Sequence, residues 1–126
     1  MIRIVGIQRS EIPEQEFVLL QNQGSLRLNL RGHLVMSQSA LEGVELASVA
    51  HVFSEETLIP PGVYVVLSTG VGEPRWTKTK EGTLVYYAYM GRLHSVWDNC
   101  SGPIHILCTQ HTYTGRMASH APLVLR

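Results

Sequence analysis

Leu26-Arg27-Leu28-Asn29-Leu30 sets an apolar side chain at every second position, the period of a strand lying on a core and not of a helix. Turn residues break the chain around it into short apolar runs. Glu16-Phe17-Val18-Leu19-Leu20-Gln21-Asn22 runs into Asn22-Gln23-Gly24-Ser25, and Arg31-Gly32 separates Leu30 from His33-Leu34-Val35-Met36. Ile59-Pro60-Pro61-Gly62 is a firm stop, because proline removes a ladder donor and fixes φ while glycine admits the turn. The β-branched and aromatic run Val63-Tyr64-Val65-Val66-Leu67 follows it. Further strands are expected at 51–53, 83–89, 95–98, 103–108 and 112–114. A closing edge strand at 121–125 would tolerate Pro122. Short strands at regular spacing predict an all-β chain, an immunoglobulin-like antiparallel β-sandwich of roughly seven to nine strands.

Two stretches depart from this pattern. Leu41, Val44 and Ala47 are spaced by three, so a short helix or loop is expected near 38–50. Residues 68–82 turn to Gly, Thr, Pro and charge, which reads as a long connection of weak local stability. Alternation within the clearest strands places Phe17, Leu19, Leu28, Leu30, Tyr64, Val66, Trp97, Ile104 and Ile106 in the core.

A chain of 126 residues fits one domain, 1–126, and is long enough to bury a core without disulfides or metal. Its 44% hydrophobic and 16% charged content excludes a disordered tail, and its formal net charge of zero argues against an indiscriminate polyanion binder. No apolar run approaches the roughly 20 residues that span a bilayer. Residues 1–11 lack the pattern of a signal peptide, so a cytoplasmic location is the default, with Cys100 and Cys108 as reduced thiols, and a mature fragment of a secreted protein is the alternative. Charge is uneven along the chain. Four arginines face seven glutamates in residues 1–63, and six basic residues face Glu73, Glu81 and Asp98 in residues 64–126. A sandwich interleaves distant segments, so this asymmetry need not give two oppositely charged faces.

Three stretches together resemble the lamin-tail domain, an immunoglobulin-like β-sandwich. Glu16 to Ser25 as quoted, followed by Leu28-Asn29-Leu30-Arg31-Gly32, is similar to that family's opening hairpin, an acidic-aromatic strand ending in Asn-x-Gly and a second ending in Leu-x-Gly. Ile59-Pro60-Pro61-Gly62-Val63-Tyr64-Val65-Val66-Leu67-Ser68-Thr69-Gly70 resembles its Pro-Gly turn and central strand. Val96-Trp97-Asp98-Asn99, with Gly102 and Ile104-His105-Ile106-Leu107, resembles its Val-Trp-Asn-Asn hairpin. His33 stands where the family usually has Trp, Pro103 replaces an acidic residue, and 37–50 is longer than the family's turn. The resemblance implies a non-catalytic interaction module of bacterial type that binds proteins or nucleic acid, with no catalytic residues and no cofactor.

Several residue groups carry candidate chemistry. Arg75-Trp76-Thr77-Lys78-Thr79-Lys80 interleaves Arg75, Lys78 and Lys80 with an indole, a composition suited to phosphate contacts and base stacking. It is equally the composition of a solvated hairpin with Trp76 folded over the sandwich. Tyr86, Tyr87 and Tyr89 share one strand, with Tyr87 and Tyr89 on one face and Tyr86 on the other, so one face shows aromatic surface. With Leu123 and Leu125 of the final segment, these tyrosines form the candidate surface for a protein partner or a second copy. His94, Cys100, His105, Cys108 and His111 offer the donor types of a zinc site or of a small hydrolase. Strand alternation sends His105 and Cys108 to opposite faces, with Cys108 beside Ile104 and Ile106 as a small core residue. Gly70-Val71-Gly72 lacks the Lys-Ser/Thr ending of a phosphate loop. The expectation is a non-catalytic module that binds protein, self-association included. Nucleic acid on the 75–80 loop is the first alternative, and a hydrolase or metal-dependent enzyme at 94–111 is the second.

Overall fold

Glu16 and Asn22, which flank the apolar run of the first long hairpin, are both fully buried, and they explain which way the sandwich faces. The computed structural model describes residues 1–109; the expected strands at 112–114 and 121–125, with His111, Leu123 and Leu125, lie outside the described residues. Among the described residues ten strands run in chain order: β1 (Ile2–Gln8), β2 (Phe17–Asn22), β3 (Leu28–Asn29), β4 (His33–Ser37), β5 (Ala50–Val52), β6 (Leu58–Ile59), β7 (Tyr64–Ser68), β8 (Arg75–Lys78), β9 (Leu84–Tyr89) and β10 (Ile104–Cys108). A five-stranded sheet, β1-β2-β7-β9-β8, a three-stranded sheet, β10-β4-β5, and a two-stranded ribbon, β3-β6, make an all-β sandwich. Short 3₁₀ turns at Gln38–Glu42 and Leu46–Ser48 occupy the region expected to hold a short helix. No helix among the described residues is long and apolar enough to cross a membrane.

The core lies between the sheets. Ile2, Val18, Leu20, Val65, Leu67, Tyr86 and Ala88 come from the five-stranded sheet, and Val35 and Ile104 meet them from the three-stranded one. Leu30, Phe53, Ile59, Val96 and Trp97 complete it. In β2 and β7 this is the reverse of the expected register. Phe17, Leu19, Tyr64 and Val66 are only half-buried and lie on the opposite face from Val18, Leu20, Val65 and Leu67. Both faces of Phe17-Val18-Leu19-Leu20 and Tyr64-Val65-Val66-Leu67 are apolar, so alternation alone cannot choose between them. The choice falls to the polar ends of β2. Glu16, Val18, Leu20 and Asn22 share the inward face because the two polar side chains find a complete set of partners there.

Glu16 Oε1 accepts from the amides of Val96 (2.9 Å) and Trp97 (3.0 Å) and from Thr69 Oγ1 (2.8 Å). Its Oε2 accepts from the amides of Asp98 (2.8 Å) and Ser10 (3.3 Å). Burial alone would raise the pKa of this carboxyl; the amides of Val96 and Trp97, the Thr69 hydroxyl and the Ser10 amide outweigh it and hold it below the ordinary value. The segment 95–98, expected as a strand, is therefore a loop wrapped on a carboxylate. At the other end of β2, Asn22 Nδ2 donates to the carbonyls of Leu26 (3.0 Å) and Ile59 (2.9 Å), while its Oδ1 accepts from Gly24 N (3.0 Å).

The alternating Leu26–Leu30 segment is a strand only at Leu28–Asn29, paired with β6. Leu30 is buried, Leu28 is half-buried, and Leu26 is 77% exposed. Trp97 and Ile104 are buried as expected, whereas Ile106 is half-buried and Cys108 is exposed rather than a core residue. Trp97 Nε1 finds no acceptor among the described residues.

Two departures concern topology. Residues 2–8 form β1, a full edge strand with a bulge between Ile4 and Gly6 that sequence reasoning did not foresee. The connection 68–82 is not wholly irregular, because it contains β8, which pairs antiparallel with β9. Since β7 and β9 pair parallel, the chain leaves β7, crosses the end of β9 and returns through β8. That crossing is tight. A Cβ on Gly72 would sit 2.5 Å from the Tyr89 ring, and one on Gly70 would sit 3.2 Å from Glu14 Cα.

Candidate partner surface

The outer face of the five-stranded sheet follows from the register. Phe17 pairs with Ser68 and Ser68 with Tyr89; Leu19 pairs with Val66, Val66 with Tyr87, and Tyr87 with Arg75; Gln21 pairs with Tyr64. Phe17, Leu19, Tyr64, Val66, Tyr87 and Tyr89 thus form one continuous half-exposed face with apolar and aromatic side chains. A sheet face turned to water normally alternates polar-out. Here the outward positions of three neighbouring strands are mostly apolar, broken by Gln21 and Ser68.

A cleft of about 230 Å³ opens on this face, floored by Phe17, Val66, Ser68, Tyr87 and Tyr89 and bordered by Glu14. Arg75 rises on the β8 side. Its guanidinium carbon lies 4.7 Å from the Tyr87 ring centroid and 5.9 Å from that of Tyr89, and its Nη1 donates to the Tyr89 hydroxyl. The surface is therefore an aromatic floor with a cation on one side and a carboxylate at the strand end.

Of the tyrosines expected to form the surface, the structure brings Tyr87 and Tyr89 together and removes Tyr86. Tyr86 is in the core, packed against Trp76 with ring centroids 5.1 Å apart, and its hydroxyl reaches Thr57 Oγ1 (3.5 Å) and Glu55 Oε2 (3.4 Å). Burial first, and then the neighbouring Glu55 carboxylate, push its phenol pKa up; the Thr57 hydrogen bond opposes them. Phe17, Leu19, Tyr64 and Val66 belong to the surface and were missed. The signal for them was the absence of any polar residue on either face of the two runs.

The basic-aromatic group does not converge. Along β8, Arg75 lies over Tyr87 on the outer face, Trp76 pairs with Tyr86 on the other, and Lys78 follows Trp76's side by alternation. Lys80 lies in the turn after the strand and is exposed. Phosphate contacts and indole stacking on one ligand would need these groups on one side.

The His/Cys group is divided as well. His94 and Cys100 line a cleft of about 440 Å³ beneath the 38–50 segment, where Cys100 Sγ donates to the Val96 carbonyl (3.1 Å). His105, on β10, shares a 2.6 Å hydrogen bond between Nε2 and Gln38 Oε1. Among the described residues no three His, Cys, Asp or Glu side chains gather where a metal ion could be held. Two arginines have structural duties. Arg9 donates to the carbonyls of Trp97 (3.0 Å) and Gly102 (2.9 Å), and Arg92 to those of Ala47 and Ala50 (2.9 Å each).

Comparison with protein families, with curated proteins and with solved structures finds no match for this chain.

Proposed function

We propose that this chain is a non-catalytic, lamin-tail-like interaction module that binds protein through the outer face of its five-stranded sheet. The observation that carries the reading is the continuous face of Phe17, Leu19, Tyr64, Val66, Tyr87 and Tyr89, left half-exposed on a sheet whose other side is a complete core. Such surface is costly to leave in water, and aromatic residues beside arginine are the composition of interface centres.

The family part of the reading rests on the three sequence stretches, which hydrogen bonds bring together. Glu16 of the opening-hairpin stretch is bonded to Val96, Trp97 and Asp98 of the Val-Trp stretch. Asn22 of the same hairpin is bonded to Ile59 at the Pro-Gly turn, and Gly62 N donates to the Asn22 carbonyl (2.7 Å). The three stretches that carry the resemblance thus depend on one another physically.

A photo-cross-linking residue replacing Leu19, and a second replacing Lys80, test the reading in native lysate. Protein adducts at position 19 with few at 80 are expected. Nucleic-acid adducts at 80, lost with Arg75→Ala, Lys78→Ala and Lys80→Ala and weakened steeply by salt, would instead assign the module to nucleic acid.

A further inference from the structure

We propose that the occupant of this face is a second copy of the chain, docked face to face about a two-fold axis so that Glu14 of each copy meets Arg75 of the other. The proposal rests on the protein-binding reading above and names its partner.

Three observations lead to it. The first is charge. An isologous interface needs a patch complementary to itself, with residue i meeting j and j meeting i. Here the aromatic cleft has Glu14 at the strand end beside Gly70 and Arg75 over Tyr87 on its β8 side, both exposed. A two-fold axis lying in the face between them brings opposite charges together twice. A formal net charge of zero leaves little general repulsion between copies.

The second is the state of the sheet edges. Strand addition needs a flat, open edge. β1 carries a bulge between Ile4 and Gly6 and exposes Arg3, while β8 is four residues long and carries Arg75 and Lys78. Both edges of the five-stranded sheet are guarded, so strand addition at this sheet is disfavoured and its face is the surface it leaves for association.

The third is area. The three strands that carry the face, about 4.8 Å apart and about five residues long at about 3.3 Å per residue, cover a footprint of about 240 Å². A standard stable interface takes about 800 Å² of accessible surface from each partner. The dimer is therefore weak and reversible, visible at high concentration and not an obligate unit of folding.

Sedimentation equilibrium of the full chain, up to about 1 mM, provides the test, with circular dichroism to verify that each variant is folded. Wild type is expected to show a monomer–dimer equilibrium that persists at moderate salt. Glu14→Arg alone and Arg75→Glu alone should each weaken it at least tenfold, because each sets like charges across the axis. An equimolar mixture of these two variants should dimerise again, since every cross-copy pair in the mixed dimer has opposite signs. Leu19→Asp should abolish association in every background. A wild type that stays monomeric throughout, or two variants that fail to rescue each other, overturns the proposal. Adducts from position 19 to a different protein would show that the broader reading survives that failure, and their absence that it falls too.

Discussion

Replacing Glu16 by Gln changes one oxygen to an NH₂ group inside a site built entirely of donors. A glutamine oxygen at the Oε1 position keeps the bonds from Val96, Trp97 and Thr69, although without their ionic component. At the Oε2 position the new NH₂ confronts the amides of Asp98 and Ser10, donor against donor. Losing the charge-assisted Asp98 bond and leaving its amide unpaired costs about 2–3 kcal/mol, and weakening the remaining bonds adds about 1 kcal/mol. At about 4 °C per kcal/mol for a chain of 126 residues, Tm should fall by about 10–15 °C at pH 7.

The pH dependence follows from the same site. The folded carboxyl titrates below the ordinary value of 4.5, so its contribution is complete above that value and disappears as pH falls through the lower folded one. The variant has no such carboxyl, and its deficit relative to wild type should shrink on acidification below pH 4.5. Thermal unfolding followed by tryptophan fluorescence and circular dichroism, from pH 7 to 3, measures both effects. A Tm loss under about 3 °C at pH 7, or a deficit constant with pH, would refute the assignment of Glu16 as the carboxylate that holds the 95–98 loop.

Leu20→Ala should cost about 2–5 kcal/mol and Leu26→Ala under about 0.5 kcal/mol, a contrast that urea unfolding resolves. Asn22→Ala strands the Leu26 and Ile59 carbonyls and the Gly24 amide and should cost about 2–4 kcal/mol by the same measurement. Burial and the neighbouring Arg92 push His51's pKa down, so its neutral form is favoured in the fold and stability is lost as pH falls below 6.5; His51→Gln should flatten that part of the Tm profile. In hydrogen exchange, amides of β8 that pair with β9 should be protected while those of 71–73 exchange fast.

The β-rich architecture was legible because turn chemistry is local. Pro60-Pro61-Gly62 and Asn22-Gln23-Gly24 stop strands whatever surrounds them. The facing of β2 and β7 was not legible, because Phe17-Val18-Leu19-Leu20 and Tyr64-Val65-Val66-Leu67 carry no polar residue to point outward. Their direction is set by Glu16 and Asn22, whose partners lie up to 82 positions away in the chain. The surface was legible only in part for the same reason. Tyr87 and Tyr89 stood out beside Tyr86, whereas Leu19 and Val66 read as core by the very pattern that makes them surface. β1 and β8 were missed because Ile2–Gln8 alternates weakly and Arg75–Lys78 is charged, and both gain their order from pairing to β2 and β9.

The account depends most on which side of β2 faces water. In a background of Cys100→Ser and Cys108→Ser, Leu19→Cys and Leu20→Cys each place one thiol on opposite faces of that strand. Maleimide labelling of the folded monomer should modify position 19 rapidly and position 20 only at the rate of global unfolding. Fast labelling at 20 with protection at 19 would mean that the apolar face described here is the core, and that the surface argued for does not exist.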